Sequence, residues 1–355
     1  MWFIIASSLL LLASILPLIN CTHWFFRVFQ YGKIQIVSLQ LVLLAASFIL
    51  VPEVTKLLIT LQFFTLIFII LHLITLYKFT PFYNKVQKRV VERSSEKITT
   101  ISANIYKENK DYKRFIKLIQ KYDPTIFLTL ESDSKWDDAL KIFDEDYPFH
   151  IKVPLENTYG MHLFSKIEIT AHKVHYFIAD DLPSIEAKMQ TKDGYTFTFF
   201  GVHPPPPSPT EEKNSKERDG ELLSVAKRIK KNADTCIVFG DFNNVAWAKS
   251  SILFRKTSEM LDGRMGRGFI STYHAKYFFL RFPIDLIFHT SDIFIDELKK
   301  LDYFGSDHFP IYSKFSINKE KSIQDEDLEK LEKEDEKNVN SLIKEGKKEK
   351  SDNRN

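Results

Sequence analysis

Three fragments in the C-terminal half of the chain carry side chains suited to acid–base and phosphate chemistry. They are Phe239-Gly240-Asp241-Phe242-Asn243-Asn244, Ile284-Asp285-Leu286-Ile287-Phe288 and Gly305-Ser306-Asp307-His308-Phe309-Pro310. Each sets a carboxylate, an amide or an imidazole against an apolar run, so that the end of a strand can hold it at a sheet edge. A carboxylate that accepts from one imidazole nitrogen fixes the tautomer and raises the basicity of the other, and Asp285 with Asp307-His308 supplies those parts. Gly240 permits a tight turn from which Asp241 and Asn243 can project to one side, with Phe242 buried between them. Metal-assisted hydrolysis of a phosphate ester uses such a set: a base for the attacking water, donors for the developing charge, and a cation.

Further candidates lie upstream. Asn104 follows Ile101 to Ala103, with Ser102 in between, and Glu131 follows the apolar run Ile126 to Leu130, so two oxygen ligands could meet at one edge. Hard oxygen ligands suit Mg2+, with Mn2+ as an alternative, better than zinc. His203 closes the run Phe197 to Val202 and is followed by four prolines, Pro204 to Pro207, which stiffen the exit and fix where the imidazole points. Taken singly, each residue also fits an ordinary setting: a solvated turn for Asn104, Glu131 and the Gly240 fragment, a satisfied surface histidine for His203. His162 and His274 lack a comparable context and read as structural or surface residues. Cys21 and Cys236 are too few and too apolar in setting for a disulfide framework or a thiolate metal site.

These residues need strands to position them. A β-branched run begins at Ile98, and Tyr112, Phe115, Ile116, Ile119 and Tyr122 recur at helical spacing before Asp123-Pro124 ends that helix. Thr125 to Leu130 then reads as a strand, as do Ile185 to Met189, Tyr195 to Val202, Thr235 to Phe239, Ile284 to Phe288 and Ile311 to Phe315. Leu222, Leu223, Ala226 and Ile229 give a second amphipathic helix. Strands outnumber helices and often follow one another directly, which predicts an α/β fold of two packed sheets flanked by helices.

Before Tyr77 the chain is apolar. Trp2 to Ile19, Ile34 to Val51 and Leu57 to Tyr77 carry no charged side chain and are about 18 to 21 residues long, which predicts three transmembrane helices. A cleaved signal peptide is the alternative for the first, though no Lys or Arg precedes its apolar run. Gln35, Gln40, Gln62 and His72 interrupt the spans and suit hydrogen bonds between helices. Arg27 and Lys33 fall on the same side as Lys78, Lys85, Lys88, Arg89 and Arg93, which predicts an outside N-terminus and a cytoplasmic C-terminal domain. The expected organisation is therefore a membrane domain over 1–78, a juxtamembrane linker over 79–96, a catalytic domain over 97–317 and a tail over 318–355. Dense Lys and Glu with few large apolar residues predict disorder with transient helix for that tail, with a coiled-coil partner helix as the alternative. A net charge of +3 with no contiguous basic stripe gives no independent argument for nucleic acid.

In chain order, Asn104, Glu131, His203, Asp241 with Asn243, Asp285, and Asp307 with His308 resemble the endonuclease/exonuclease/phosphatase superfamily. That superfamily includes pancreatic-type DNases, abasic-site endonucleases, inositol-polyphosphate phosphatases and bacterial sphingomyelinases. The resemblance spans about Lys97 to Phe315 and is similar to its bacterial membrane-anchored branch, to which Leu280-Arg281-Phe282-Pro283-Ile284-Asp285 adds support. It implies a four-layer α/β sandwich with the site at one edge of two central sheets. It further implies that Asn104 and Glu131 hold the metal with Asp307 close by, and that Asp285 orients His308. Asp241 would position or activate the water, while Asn243 and His203 donate to phosphoryl oxygens; either Asp241 or His308 could be the base. Arg218, Trp247 and Tyr159-Gly160 stand in family-like contexts as scaffold or rim. Many relatives carry His where Leu286 stands; by strand alternation Leu286 should point away from Asp285 and be absorbed by packing.

The function implied is a divalent-metal-dependent phosphoesterase anchored in a bacterial inner or plasma membrane, acting on a phosphodiester or phosphomonoester. Nucleic acid, phospholipid and inositol phosphate are the candidate substrates, the bilayer is a partner, and no protein partner is inferable. A nuclease is the alternative within the superfamily; an inactive membrane scaffold is the alternative from another class. The aromatic stretch Tyr273 to Phe282 suits a lipid-facing loop or ordinary core.

Overall fold

The computed structural model describes residues 2–51, 53–83, 95–319 and 324–351. Its strands form two six-stranded mixed sheets. The first contains β1 (Ile98–Asn104), β2 (Ile126–Leu130), β3 (Phe149–Val153), β4 (Met161–Ser165), β11 (Ile293–Lys300) and β12 (Ile311–Ile317), in the order β11-β12-β1-β2-β4-β3. The second contains β5 (Glu168–His175), β6 (Ser184–Gln190), β7 (Thr196–Val202), β8 (Cys236–Asp241), β9 (Leu261–Asp262) and β10 (Asp285–His289), in the order β5-β6-β7-β8-β10-β9. The pairs β1/β2 and β7/β8 are parallel, and the other pairs are antiparallel.

Strand alternation sorts the side chains into layers. Ile126, Leu128 and Leu130 of β2 face Phe199, Phe239 and Ile287 of the other sheet, forming the core between the sheets. Phe127 points the other way, onto Phe115 and Ile119 of α5 (Tyr112–Tyr122) and Trp136 of α6 (Ser134–Leu140). On the far side, Phe200, Val238, Leu286 and Phe288 pack under Leu222, Ala226 and Ile229 of α7 (Lys216–Asn232) and Phe254 of α8 (Lys249–Ser258). The result is helix, sheet, sheet, helix. Burying one such aliphatic or aromatic side chain contributes about 1.5–3 kcal/mol, so two apolar faces per sheet supply most of the driving force. Leu286 is 1% exposed and packs in the outer core, away from Asp285, as strand alternation predicts.

Register brings the polar ends together. Asn104 ends β1 beside Leu130, which puts Glu131 next to it. Asp285 opens β10 directly opposite Asp241 at the end of β8, and Gly240 lies beside Val202, whose successor is His203. A Cβ at Gly240 would collide with the Val202 carbonyl oxygen, so the close approach of β7 and β8 requires glycine there.

The N-terminal helices differ from expectation. Two are long and apolar enough to cross a membrane, α3 (Lys33–Leu50) and α4 (Lys56–Tyr77). The first apolar stretch instead forms a helix α1 (Trp2–Ile15) that tightens at Leu16–Leu18, where Pro17 falls, and is too short to count as a third. The short α2 (Trp24–Tyr31) follows. Three of the four polar interruptions bond helix to helix as expected: Gln40 Nε2 donates to Ser14 Oγ at 3.0 Å, His72 Nε2 lies 3.1 Å from the same oxygen, and Gln62 Nε2 donates to Ser47 Oγ at 2.8 Å, whereas Gln35 donates to the Phe279 and Arg281 carbonyls outside the helices.

The charged tail also differs. Rather than disorder throughout, it contains α9 (Lys333–Gly346), opened by a capping box between Glu332 and Asp335. Val339 is fully buried against Leu223 and Leu253, flanked by Leu342 and Ile343. Three apolar residues at helical spacing suffice once α7 and α8 offer a groove, and Lys256–Asp335 and Arg255–Glu329 ion pairs at 2.8 and 2.7 Å border it. Residues 84–94 of the expected linker lie outside the described residues.

Candidate active site

Glu131 stands immediately after β2 at φ 64°, a left-handed conformation that costs a non-glycine residue about 1–2 kcal/mol. The turn aims its carboxylate across to β1: Oε1 accepts from Asn104 Nδ2 at 2.8 Å and Oε2 from the Lys107 backbone N–H at 3.0 Å. Burial pushes this carboxyl up to about 7, against the pull of those two donors. No Lys or Arg ion pair reaches it among the described residues. A buried carboxylate with N–H donors but no basic partner among the described residues fits a divalent cation.

The Asn104 amide links this group to the second sheet, since Nδ2 also donates to Asp241 Oδ2 at 3.2 Å while Oδ1 accepts from the Tyr106 N–H. Asp241 Oδ1 accepts from the Asn243 N–H at 2.8 Å. Burial drives the Asp241 carboxyl up, nearby His308 opposes and Asp285 reinforces, leaving it at about 7. His308 Nδ1 lies 2.9 Å from Asp285 Oδ2, and its Nε2 lies 3.5 Å from Asp241 Oδ2. Burial alone would pull this imidazole down, but Asp285 and Asp241 outweigh it and hold it at about 10. Asp241, Asp285 and His308 offer ligand atoms within 4.8 Å of one another. Both imidazole nitrogens face carboxylates, however, so the three satisfy each other as an Asp–His–Asp chain, whereas Glu131 has no ion-pair partner among the described residues.

His203 is 4% exposed, with Nε2 3.9 Å from Asp241 Oδ2 and the Tyr159 ring 5.5 Å away. Burial and then the charge of His308 pull it down to about 3, so it is neutral and can donate through one nitrogen. Asn243, at φ 46°, donates through Nδ2 to the Pro204 carbonyl at 3.0 Å, tying the exit of β8 to the proline run after His203. Asp307 is half-buried, and its charge contributes to raising Glu131. The structure thus brings Asn104, Glu131, His203, Asp241, Asn243, Asp285, Asp307 and His308 to one edge of the sandwich. His162 sits apart from this chain of contacts, buried 3.8 Å from Asp137 and held neutral at about 4 by its burial.

Ser306, Tyr273 and Tyr31 support the site without having been singled out for it in the sequence, and Arg218 and Trp247 stand as scaffold, as the resemblance implies. Ser306 Oγ donates to the Asn104 carbonyl at 2.8 Å and accepts from the His308 N–H at 3.0 Å, pinning the last fragment to β1. Its place between Gly305 and Asp307 was the available signal. The Tyr273 ring lies 4.8 Å from the His308 ring. Arg218, buried and paired with Asp219 at 2.8 Å, donates to the Asn243 carbonyl at 3.0 Å, and the hydroxyl of Tyr31 in α2 donates to the same oxygen. Trp247 donates to the Gln30 carbonyl at 2.8 Å. The N-terminal helices therefore touch the loop that follows Asp241, a contact no local pattern announces.

Residues 101–308 match the Endonuclease/Exonuclease/phosphatase family. By sequence, no curated protein matches the chain. Among solved structures it is similar to a protein of that family from Bacteroides thetaiotaomicron, at 20% identity over 64% of this chain and 100% of the other, with a TM-score of 0.53. It is also similar to a mannosyl-6-phosphatase of the same species, at 19% identity over 61% and 99% of the two chains, TM-score 0.51. D. rerio TDP2 complexed with single-strand DNA product aligns at 18% identity over 62% and 99%, TM-score 0.51. At these identities the likeness is one of fold.

Proposed function

The chain belongs to the endonuclease/exonuclease/phosphatase family, whose members are generally hydrolases of phosphoesters and typically use a divalent metal, and from that premise we propose that it is a membrane-anchored, Mg2+-dependent phosphoesterase. The observation that carries this reading is the convergence of Glu131, Asn104, Asp241, His308 and Asp285 from both sheets, with Glu131 in no ion pair among the described residues. Asn104 and Glu131 would hold the metal, with Asp307 beside them. A bound divalent ion would neutralise phosphoryl oxygens and make phosphorus more electrophilic.

The chain's own residues supply the rest. Asp241 holds the attacking water and takes its proton; its Oδ1 is fixed by the Asn243 N–H and its Oδ2 by Asn104. His308, flanked by carboxylates on both nitrogens, serves as a positive charge against the phosphoryl group, with Asp285 fixing its orientation. Neutral His203 and the Asn243 side-chain amide donate to phosphoryl oxygens. The Asn243 amide uses one hydrogen on Pro204 and keeps the other for this role.

Anchorage rests on α3 and α4, which carry exposed apolar side chains such as Leu39, Val42, Ile59 and Ile70. The Lys and Arg count beside the spans favours a cytoplasmic catalytic domain. A reporter fused to the C-terminus that is active only outside the cytoplasm would overturn that orientation. For catalysis, the test is Mg2+-dependent release of nitrophenol from bis- and mono-nitrophenyl phosphate by the purified full chain. Asp241→Ala and His308→Ala should each lose about 100-fold or more of the wild-type rate. Equal rates in all three proteins would refute the assigned site.

A further inference from the structure

Between Tyr273 and Phe282 the chain leaves the edge of the site and returns to it. The root of this loop is fastened to the reacting groups: the Ala275 N–H donates to the Asp307 carbonyl at 2.6 Å, and Tyr273 covers His308. Arg281 Nη2 closes the loop by donating to the Ala275 carbonyl at 2.9 Å. At the tip, Tyr277, Phe278, Phe279 and Leu280 are 59, 70, 81 and 56% exposed. Four consecutive large apolar side chains outside the core form a patch that calls for an apolar cover.

The position of the tip identifies the cover. Gln35, in the first turn of α3, donates to the Phe279 and Arg281 carbonyls at 3.1 and 3.2 Å, and the Tyr31 ring lies 6.1 Å from that of Phe282. The patch is therefore level with the end of an apolar helix long enough to span a bilayer, the depth at which aromatic side chains accumulate. A second element there has the same bias. Helix α2 buries Arg27 and Gln30 against the domain and leaves Phe25 and Val28 45% and 46% exposed. A helix that turns its polar side inward and its apolar side outward suits contact with lipid.

We propose that Tyr277–Leu280 inserts into the bilayer interface beside α3, and that the substrate is a phosphoester carried by a membrane lipid. This deepens the phosphoesterase reading and rests on it for the substrate. Because Asp307 and His308 are joined to the root of the loop, insertion of the tip sets the reacting groups at headgroup depth. An ester on an acyl-chain carrier then reaches them without leaving the membrane.

The test uses the full chain in phosphatidylcholine vesicles and two nitrophenyl phosphodiesters that share the reacting group, one with a hexadecyl chain and one with a methyl group. Wild-type protein should prefer the hexadecyl ester by about tenfold or more, and Phe279→Ser/Leu280→Ser should lose that preference while keeping its rate on the methyl ester. A preference that persists in the variant, or none in the wild type, overturns the proposal. A second readout needs no catalysis: a fluorophore on Phe279→Cys, in a Cys21→Ser background, should be quenched by nitroxide-bearing lipids and shielded from iodide. The opposite pattern overturns insertion, whether the cover is water or a partner protein. If neither ester is hydrolysed, the phosphoesterase reading fails, and the fluorophore still decides the loop.

Discussion

Glu221 offers a stability prediction outside the reacting groups. It lies on the inner side of α7, 1% exposed, and accepts from Ser184 Oγ at 2.8 Å. Burial pushes its carboxyl up to about 8 from the ordinary 4.5, with the Ser184 hydroxyl and the Ile178 N–H offsetting only part of that. The unfolded chain releases this proton near its ordinary pKa, whereas the folded chain keeps it up to about 8. Between those values the folded state binds more protons than the unfolded one, so stability falls as pH rises through the window and is unaffected below it. At about 1.4 kcal/mol per pH unit, the accumulated loss is about 4–5 kcal/mol by pH 8. Glu221→Gln keeps an acceptor for Ser184 without a charge to bury. The assay is thermal unfolding of the purified full chain in detergent, from about pH 5 to 9, wild type against variant. The comparison cancels other titrating groups, Glu131 and Asp241 among them. The variant should match the wild type near pH 5 and exceed it by roughly 5–10 °C near pH 8.5. Parallel curves at all pH values would refute the assignment of an uncharged buried Glu221.

Two further perturbations follow from packing. Tyr31→Phe removes the hydroxyl that donates to the Asn243 carbonyl and accepts from Arg218 at 3.0 Å, so stability should fall by about 1–3 kcal/mol, with a lower turnover on nitrophenyl phosphates; unchanged values of both would mean that α2 does not support the Asp241 loop. Val339→Asp places an unpaired carboxylate against Leu223 and Leu253 and should undock α9, at a cost of at least the about 1.5–3 kcal/mol of lost burial. Limited proteolysis should then cut within residues 324–351 at protease levels that leave the wild type whole, and equal resistance would contradict the docking.

Much of the fold follows from local pattern. The strands at Ile126–Leu130 and Cys236–Asp241 are apolar runs with sharp polar ends, Thr196–Val202 and Ile311–Ile317 are β-branched or aromatic residues interleaved with small or polar ones, and helix α5 carries a regular apolar face. Other strands were silent for physical reasons: β5 is an edge strand rich in exposed polar residues, and β4 carries His162 and Ser165 inside the core. The N-terminal apolar stretches misled in one case, because Pro17 ends the first helix before it reaches spanning length. The tail misled by composition, since three residues at the right spacing dock α9 although the average is charged.

The candidate site shows the same division. Asn104 and Glu131, or Asp241 and Asp285, stand out because each is a lone polar residue at the end of an apolar run, and sheet register then makes them neighbours. The contacts of Ser306, Tyr273, Arg218 and Tyr31 depend on chain segments far apart in sequence, and each residue has an unremarkable local setting. Glu131 at positive φ is likewise invisible beforehand, although that backbone conformation directs its carboxylate toward Asn104.

A divalent-metal phosphoesterase site at Glu131 and its neighbours is tested by the Mg2+ dependence of nitrophenyl phosphate hydrolysis by the full chain and by Glu131→Gln. Chelation should abolish wild-type activity, Mg2+ should restore it, and Glu131→Gln should need about 10–100-fold more Mg2+ to reach half its maximal rate. Activity that survives chelation, with superimposable Mg2+ curves for the two proteins, would contradict such a site.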